Sequence, residues 1–155
     1  MTGEAPHPGW AHRYSARIRP QECSEGGTLG HPRFLEHFEA AFIDAWRERF
    51  GPLAESLGAD RRLTVAAVEV QYRAPVGFDD LLLVDLAFDR AGRSSVLIRY
   101  EATVDGRAVA QAGVTYVCLD SAAGAPAELP ELAQLEVADQ RVFRPRDKCD
   151  LPRAV

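Results

Sequence analysis

Arg19–Gly51 reads RPQECSEGGTLGHPRFLEHFEAAFIDAWRERFG, and this stretch decides the fold. From Phe34 the apolar residues fall at Phe34, Leu35, Phe38, Ala41, Phe42, Ala45, Trp46 and Phe50, the spacing of one wide face of a helix. Pro32 suits the first helical turn, and Gly51-Pro52 ends the pattern. A stripe this broad and aromatic predicts a largely buried helix. Just before it lie an acidic, glycine-rich loop and a short turn, Gly30-His31-Pro32, led in by a weakly alternating strand from Tyr14 to Arg19. A loop of this kind can aim backbone N–H groups and a carboxylate at one point.

Outward from the helix, residues 51–62 read as a polar connection, with four strand-like runs after it. Leu63–Tyr72 sets Ala66, Val68, Val70 and Tyr72 on one face against Glu69 and Gln71. Leu81–Phe88 is a continuous apolar run with Asp85 inside it. Ser95–Val104 alternates cleanly, and Asp105-Gly106 marks a tight hairpin into Arg107–Leu119. One long helix and a five-stranded antiparallel sheet predict an α+β layer fold. Residues 1–155 are expected to form one domain, with a core over about 14–120. Residues 1–10 read as a loose arm. Residues 121–155 read as a Pro- and Ala-rich extension, with a short helix near Pro130–Leu135 before it frays.

The bulk properties narrow the function. Net charge is −5, and the longest basic run is Arg61-Arg62, which argues against nucleic acid as a partner. The basic residues are 17 arginines and one lysine, Lys148. No apolar run reaches the roughly 18 residues of a membrane span. The first residues lack the basic-then-apolar order of a secretory signal. Cys23, Cys118 and Cys149 are odd in number and far apart, which fits a reducing cytoplasm rather than a disulfide framework. No His/Cys/Asp spacing suits zinc, and neither a P-loop nor a dinucleotide fingerprint occurs, so no metal or cofactor is expected.

Three stretches together resemble the hot-dog fold acyl-CoA thioesterases of the 4-hydroxybenzoyl-CoA type, over roughly Tyr14 to Asp120. ECSEGGTLGHPRFLEHFEAA is similar to that family's Asp-x-Asp-x-x-Gly loop and x-His-x-x-Tyr-Leu-x-x-Phe-Glu helix. VEVQYRAPVGFDDLLLVDL is similar to its strand ending in Tyr-x-x-Pro before an Asp-Leu strand start. AVAQAGVTYVCLD is similar to its last long strand. The resemblance implies one central helix wrapped by the sheet, and a dimer or tetramer with sheets joined edge to edge. It also implies an active site between subunits and an acyl thioester substrate, carried on CoA or an acyl carrier protein.

One departure limits what the resemblance supplies. The family's catalytic second Asp falls at Ser24, and a hydroxyl has no useful basicity at neutral pH without a neighbouring base. Two carboxylates are candidate replacements. Glu25 is adjacent in the loop. Glu39 matches the Glu of the family's Phe-Glu pair; placed near the edge of the buried face, it is expected to be partly desolvated with a raised pKa. Backbone N–H groups at Gly26 and Gly27 are candidate oxyanion donors, and His31 matches a family His at the helix start. His37 ranks lower. Ser24, Thr28, Phe34, Phe38, Tyr72 and Arg93 are candidate substrate contacts. Arg90, Arg99 and Arg107, and Arg144, Arg146 and Lys148 in the tail, are further candidates for the nucleotide of CoA. Cys23 is surrounded in sequence by acids, which disfavour a thiolate nucleophile.

Gly30-His31-Pro32 also resembles a fragment of the hot-dog dehydratases. That leaves an acyl-thioester dehydratase or hydratase using His31 and Glu39 as an alternative to hydrolysis, and a non-catalytic acyl-binding protein as another.

Overall fold

The computed structural model describes residues 5, 6 and 9–137. In chain order these form strand β1 (His12–Arg17), a 3-10 turn (Pro20–Glu22) and the long helix α1 (His31–Phe50). A short helix α2 (Leu53–Leu57) comes next, then strands β2 (Arg61–Tyr72), β3 (Leu81–Ala91), β4 (Ser95–Val104) and β5 (Arg107–Asp120), and a second 3-10 turn (Pro130–Gln134). The strands make one antiparallel sheet in the order β1-β3-β4-β5-β2. This is the hot-dog fold that the sequence predicts, with α1 laid across the inner face of the sheet.

The helix forms where its apolar stripe has a surface to cover. Phe34, Phe38, Ala41, Phe42, Ala45 and Trp46 are all buried. They meet the inward residues of the sheet: Leu82, Val84 and Leu86 on β3, Ile98 and Tyr100 on β4, Val114 and Tyr116 on β5. Phe38 packs on Tyr100 with ring centroids 5.0 Å apart, and Phe42 stacks on Tyr116 at 4.7 Å. Asp105 (φ 49°) and Gly106 (φ 74°) both take left-handed backbone, the geometry a two-residue hairpin turn demands.

The structure departs from the sequence reading or completes it in four places. Residues 51–62 are not a plain polar connection, because they contain α2. Five residues are too few to show a helical period. The register of β2 shifts between Val65 and Ala67, which leaves Ala66 as a bulge residue rather than a member of the inward face. Leu63, Val65, Val68, Val70 and Tyr72 stand opposite the inward residues Cys118, Tyr116, Val114, Ala112 and Ala110, so they share that face. Asp85 interrupts the apolar run of β3 because Arg13 on β1 grips both its oxygens, at 2.7 and 2.8 Å, with both side chains buried. Finally, the core does not stop at Asp120. Leu129, Leu132 and Leu135 are buried in it, and Arg61 Nη1 donates to Glu128 O at 2.9 Å to hold that segment down.

One edge of the sheet is incompletely covered. β2 is a 12-residue outer strand, and several apolar residues of its inward face remain accessible. Val65, Val68 and Tyr72 are 48%, 46% and 38% exposed, which is high for apolar residues in register with a core.

Candidate active site

The loop ahead of α1 is tied to itself and to its neighbours. Ser24 O accepts the Gly27 N–H at 2.8 Å, making a turn with Glu25 and Gly26 at its centre, and Ser24 N–H donates to Thr28 O at 2.8 Å. Gly27 has φ 76°, a conformation that costs a side chain steric strain. Leu29 N–H donates to Val76 O at 2.7 Å, and Gly30 N–H to Glu22 O at 3.2 Å. The two glycines therefore differ. Gly27 N–H is engaged within the turn, whereas Gly26 N–H lies outside the turn's hydrogen bonds. The Ser24 hydroxyl turns to Thr28 O at 3.3 Å, and Thr28 bridges to Gly77. Glu25 is exposed on the turn.

At the start of α1, four of the residues singled out from sequence come together. His31 Nδ1 meets the Tyr72 hydroxyl at the end of β2, with the rings edge to face at 5.4 Å. Phe34 lies against Tyr72 at 5.2 Å and Phe38 at 6.3 Å. Burial raises the pKa of Tyr72, so its phenol is neutral at physiological pH.

Glu39 lies two turns further along the helix. A groove of about 370 Å³ opens there, walled by Phe42 and Ile43 of α1, Leu53 and Leu57 of α2, and Arg61 to Leu63 and Val65 at the start of β2, with Tyr116 beside it. Glu39 is one of the lining residues, yet it is exposed, so the partial desolvation expected from sequence is not found. Its charge is felt by two phenols instead. Burial raises the pKa of Tyr100 well above normal, and the neighbouring Tyr116 and the Glu39 carboxylate push the same way. Tyr116 is raised by burial and then by Glu39, against a lowering contact with Tyr100. The groove thus presents largely apolar walls with one carboxylate and two arginines, Arg61 and Arg62, and the phenols that sense Glu39 stay protonated.

The arginines are scattered rather than clustered. Arg93, in the β3–β4 hairpin, pairs with Glu128 at 2.7 Å while 85% exposed. That hairpin adjoins Cys118, eight residues along β5 from the partner of Tyr72, Ala110. At the rise of a strand this is about 27 Å away. Arg99 pairs with Asp89 at 2.9 Å on the outer face of the sheet. Arg90 is exposed in β3, and Arg107 stands at the β4–β5 turn, the end nearer Tyr72. Arg144, Arg146 and Lys148 lie outside the described residues. Among the described residues no group of His, Cys, Asp and Glu is arranged to hold a metal, and no helix is long and apolar enough to cross a membrane.

Against known families, residues 18–137 match the thioesterase-like superfamily. The chain belongs to that superfamily. Solved structures share the fold of this thioesterase-like protein. A thioesterase from Thermus thermophilus, complexed with coenzyme A and Zn, is 28% identical, with TM-score 0.69, and the match covers 82% of this chain and 91% of that one. A 1,4-dihydroxy-2-naphthoyl-CoA thioesterase from Synechocystis is 22% identical with TM-score 0.70, over 79% and 92% of the two chains. A DHNA-CoA thioesterase from Staphylococcus aureus is 16% identical with TM-score 0.73, over 77% and 81%. The search of curated proteins returns no match.

Sequence reasoning passed over one constellation in this thioesterase-like protein. Glu22 Oε1 accepts from His37 Nε2 at 2.7 Å, and His37 Nδ1 meets the Tyr14 hydroxyl at 3.2 Å. The available signal was His37 itself: it falls between Phe34 and Ala41 on the buried face, where an imidazole needs partners. Those partners come from 15 and 23 residues away, which no local pattern reveals.

Proposed function

We propose that this protein is a thioesterase that hydrolyses an acyl thioester of CoA or an acyl carrier protein, with Glu39 as general base. The observation that carries the proposal is the lining of the groove: within a thioesterase-like chain, one carboxylate and two arginines join apolar and aromatic walls beside a sheet edge that is unpaired among the described residues. Glu25, exposed on its turn, has no such surroundings. The acyl group lies along Phe42, Ile43 and Leu57, where each buried CH₂ contributes about 0.8 kcal/mol. Glu39 takes a proton from water as the water oxygen attacks the thioester carbonyl. The oxyanion that forms accepts hydrogen bonds from backbone N–H, Gly26 first. Collapse expels the thiolate, which is reprotonated by the acid form of Glu39.

The site is completed by a second copy of the chain. A long outer strand with exposed apolar residues is a pairing surface, and a two-fold axis through β2 pairs it antiparallel with its mate. The strand is roughly 40 Å long by its rise per residue, so the Arg61 end of one copy lies beside the Tyr72 end of the other. The groove of one subunit then meets the partner's His31, Tyr72 and Gly26. This arrangement brings Glu39 to the loop amides, which the spacing along one helix does not. His31 orients the thioester from across the interface.

Thiol release from a panel of acyl-CoAs and acyl carrier protein thioesters tests the reading. Glu39→Ala is expected to lose at least about a hundredfold in kcat, the usual size for a general base, and Glu25→Ala to stay within about threefold. Equal, near-wild-type rates in both variants would remove the carboxylate from the mechanism. Conversion between enoyl and 3-hydroxyacyl thioesters without thiol release would favour the dehydratase instead.

A further inference from the structure

Glu22, His37 and Tyr14 form a hydrogen-bonded chain that the hydrolytic step does not use. The three residues come from the 3-10 turn, the second turn of α1, and β1. His37 and Glu22 are 10% and 17% exposed at their side chains. The polarity of the chain follows from its carboxylate end. Glu22 can only accept, which puts the ring proton on His37 Nε2; in that tautomer Nδ1 accepts from the Tyr14 hydroxyl, whose pKa is raised by burial and by the charges of Asp44 and Glu22. Glu22 Oε2 accepts the Arg19 N–H at 2.8 Å, so both carboxylate oxygens are engaged and neither is available as a base.

Stability alone is a weak reason for such a chain. Position 37 lies on the buried face of α1, where an apolar side chain would pack without desolvating an imidazole and a carboxylate. Buried pairs of this kind seldom add net stability over apolar packing, and their better-attested use is to select one geometry. The geometry here is that of the loop. Glu22 is its first residue, and the Glu22 carbonyl also receives Gly30 N–H, its last. One residue therefore anchors both ends of the segment that carries the Ser24–Gly27 turn.

We propose that Tyr14, His37 and Glu22 are positioning residues, a strut that fixes the turn and its free Gly26 N–H against α1 and β1. The proposal rests on the thioesterase reading for its kinetic consequence. Its structural consequence, restrained motion of the turn, does not depend on that reading.

The test uses the full chain and four variants, read by thiol release and by amide hydrogen exchange at Ser24 and Gly27. Glu22→Ala and His37→Phe are expected to lower kcat about ten- to a hundredfold, the scale of a slightly misplaced group. KM should stay within about twofold, and exchange at both amides should quicken at least tenfold. Glu22→Gln is the rescue. Its carbonyl still accepts the Arg19 N–H, and its NH₂ donates to Nε2 once the His37 proton moves to Nδ1 and is offered to Tyr14. This variant should stay within about threefold of wild type in both readouts. Tyr14→Phe removes only the outer hydroxyl and serves if the larger changes do not fold, with exchange rising at least threefold. Wild-type exchange in folded Glu22→Ala or His37→Phe, or Gln as impaired as Ala, would overturn the strut. A wild-type protein that releases no thiol would instead sink the thioesterase reading, leaving exchange to decide the strut.

Discussion

The two carboxylates nearest the predicted chemistry sit in opposite circumstances. Glu22 is mostly buried, and both its oxygens are held by His37 and the Arg19 N–H. Glu39 is exposed on the lining of a groove, and its charge adds to burial in raising the pKa of two phenols. A carboxylate saturated by donors has neither the basicity nor the access to take a proton from water. Glu39, exposed on the groove lining beside Arg61 and Arg62, is within reach of water. On the proposed reading, the loop end of the molecule serves position, and the groove end serves reaction and ligand entry.

The largest expected effect breaks what the two ends share. Phe38 sits between Phe34 and Tyr100 in the row of rings that runs from the loop toward the groove. It is 1% exposed, so Phe38→Ala should cost about 3–5 kcal/mol of unfolding free energy, measured by urea titration. A cost below about 1 kcal/mol would mean that the row is not a common support. Next comes Glu39→Gln, which keeps shape and removes charge. Loss of at least about a hundredfold in kcat with an unchanged thermal midpoint would place the exposed carboxylate in reaction rather than in folding. A lowered midpoint with normal kcat would reverse the assignment.

Much of this contrast is legible in the amino-acid sequence. The α1 stripe, the Asp105-Gly106 hairpin and the run of strands rest on periods and turn chemistry, which are local. His31, Phe34, Phe38 and Tyr72 stand out by motif and spacing, and the fold brings them together because α1 begins where β2 ends. The features that escape sequence reasoning depend on distant partners or single-residue shifts. The bulge at Ala66 changes which residues of β2 face inward, and nothing in VAAVEV marks it. Asp85 looks out of place until Arg13, 72 residues away, reaches it. Arg93 shares its hairpin with other candidate contacts of a nucleotide, but the sheet carries it to the far end from Tyr72. Exposure of Glu39 is equally hidden, because it depends on what α2 and β2 leave open beside the helix, and α2, which helps to wall that groove, is too short to show a period.

A third experiment sharpens the comparison by separating the ends. If the groove of one subunit is completed by the partner's loop, breaking β2 pairing must silence the site without unfolding the chain. Val68 is 46% exposed, so Val68→Asp should change stability by less than about 1 kcal/mol. A charge on the pairing strand should still halve the mass seen by sedimentation velocity and lower kcat/KM at least tenfold. A monomer with full activity would show that each chain contains its own site.

The smallest effect concerns Glu22 and acid. Burial alone would raise its pKa, but the Arg19 N–H and the His37 ring outweigh that and hold it below the ordinary value of 4.5. A depressed folded-state pKa means that the unfolded chain takes up its proton first as pH falls. The stabilisation is therefore complete above the unfolded value of about 4.5 and is lost as pH drops through the folded one. Glu22→Gln cannot titrate, so its urea midpoint should fall less between pH 6 and pH 3 than that of wild type. Glu39→Gln, which removes one exposed carboxylate outside that hydrogen-bonded chain, is the matched control for the change in net charge. Parallel slopes for wild type and Glu22→Gln would mean that the strut holds a carboxyl group as well as a carboxylate, and the difference between the two acids would then be one of access alone.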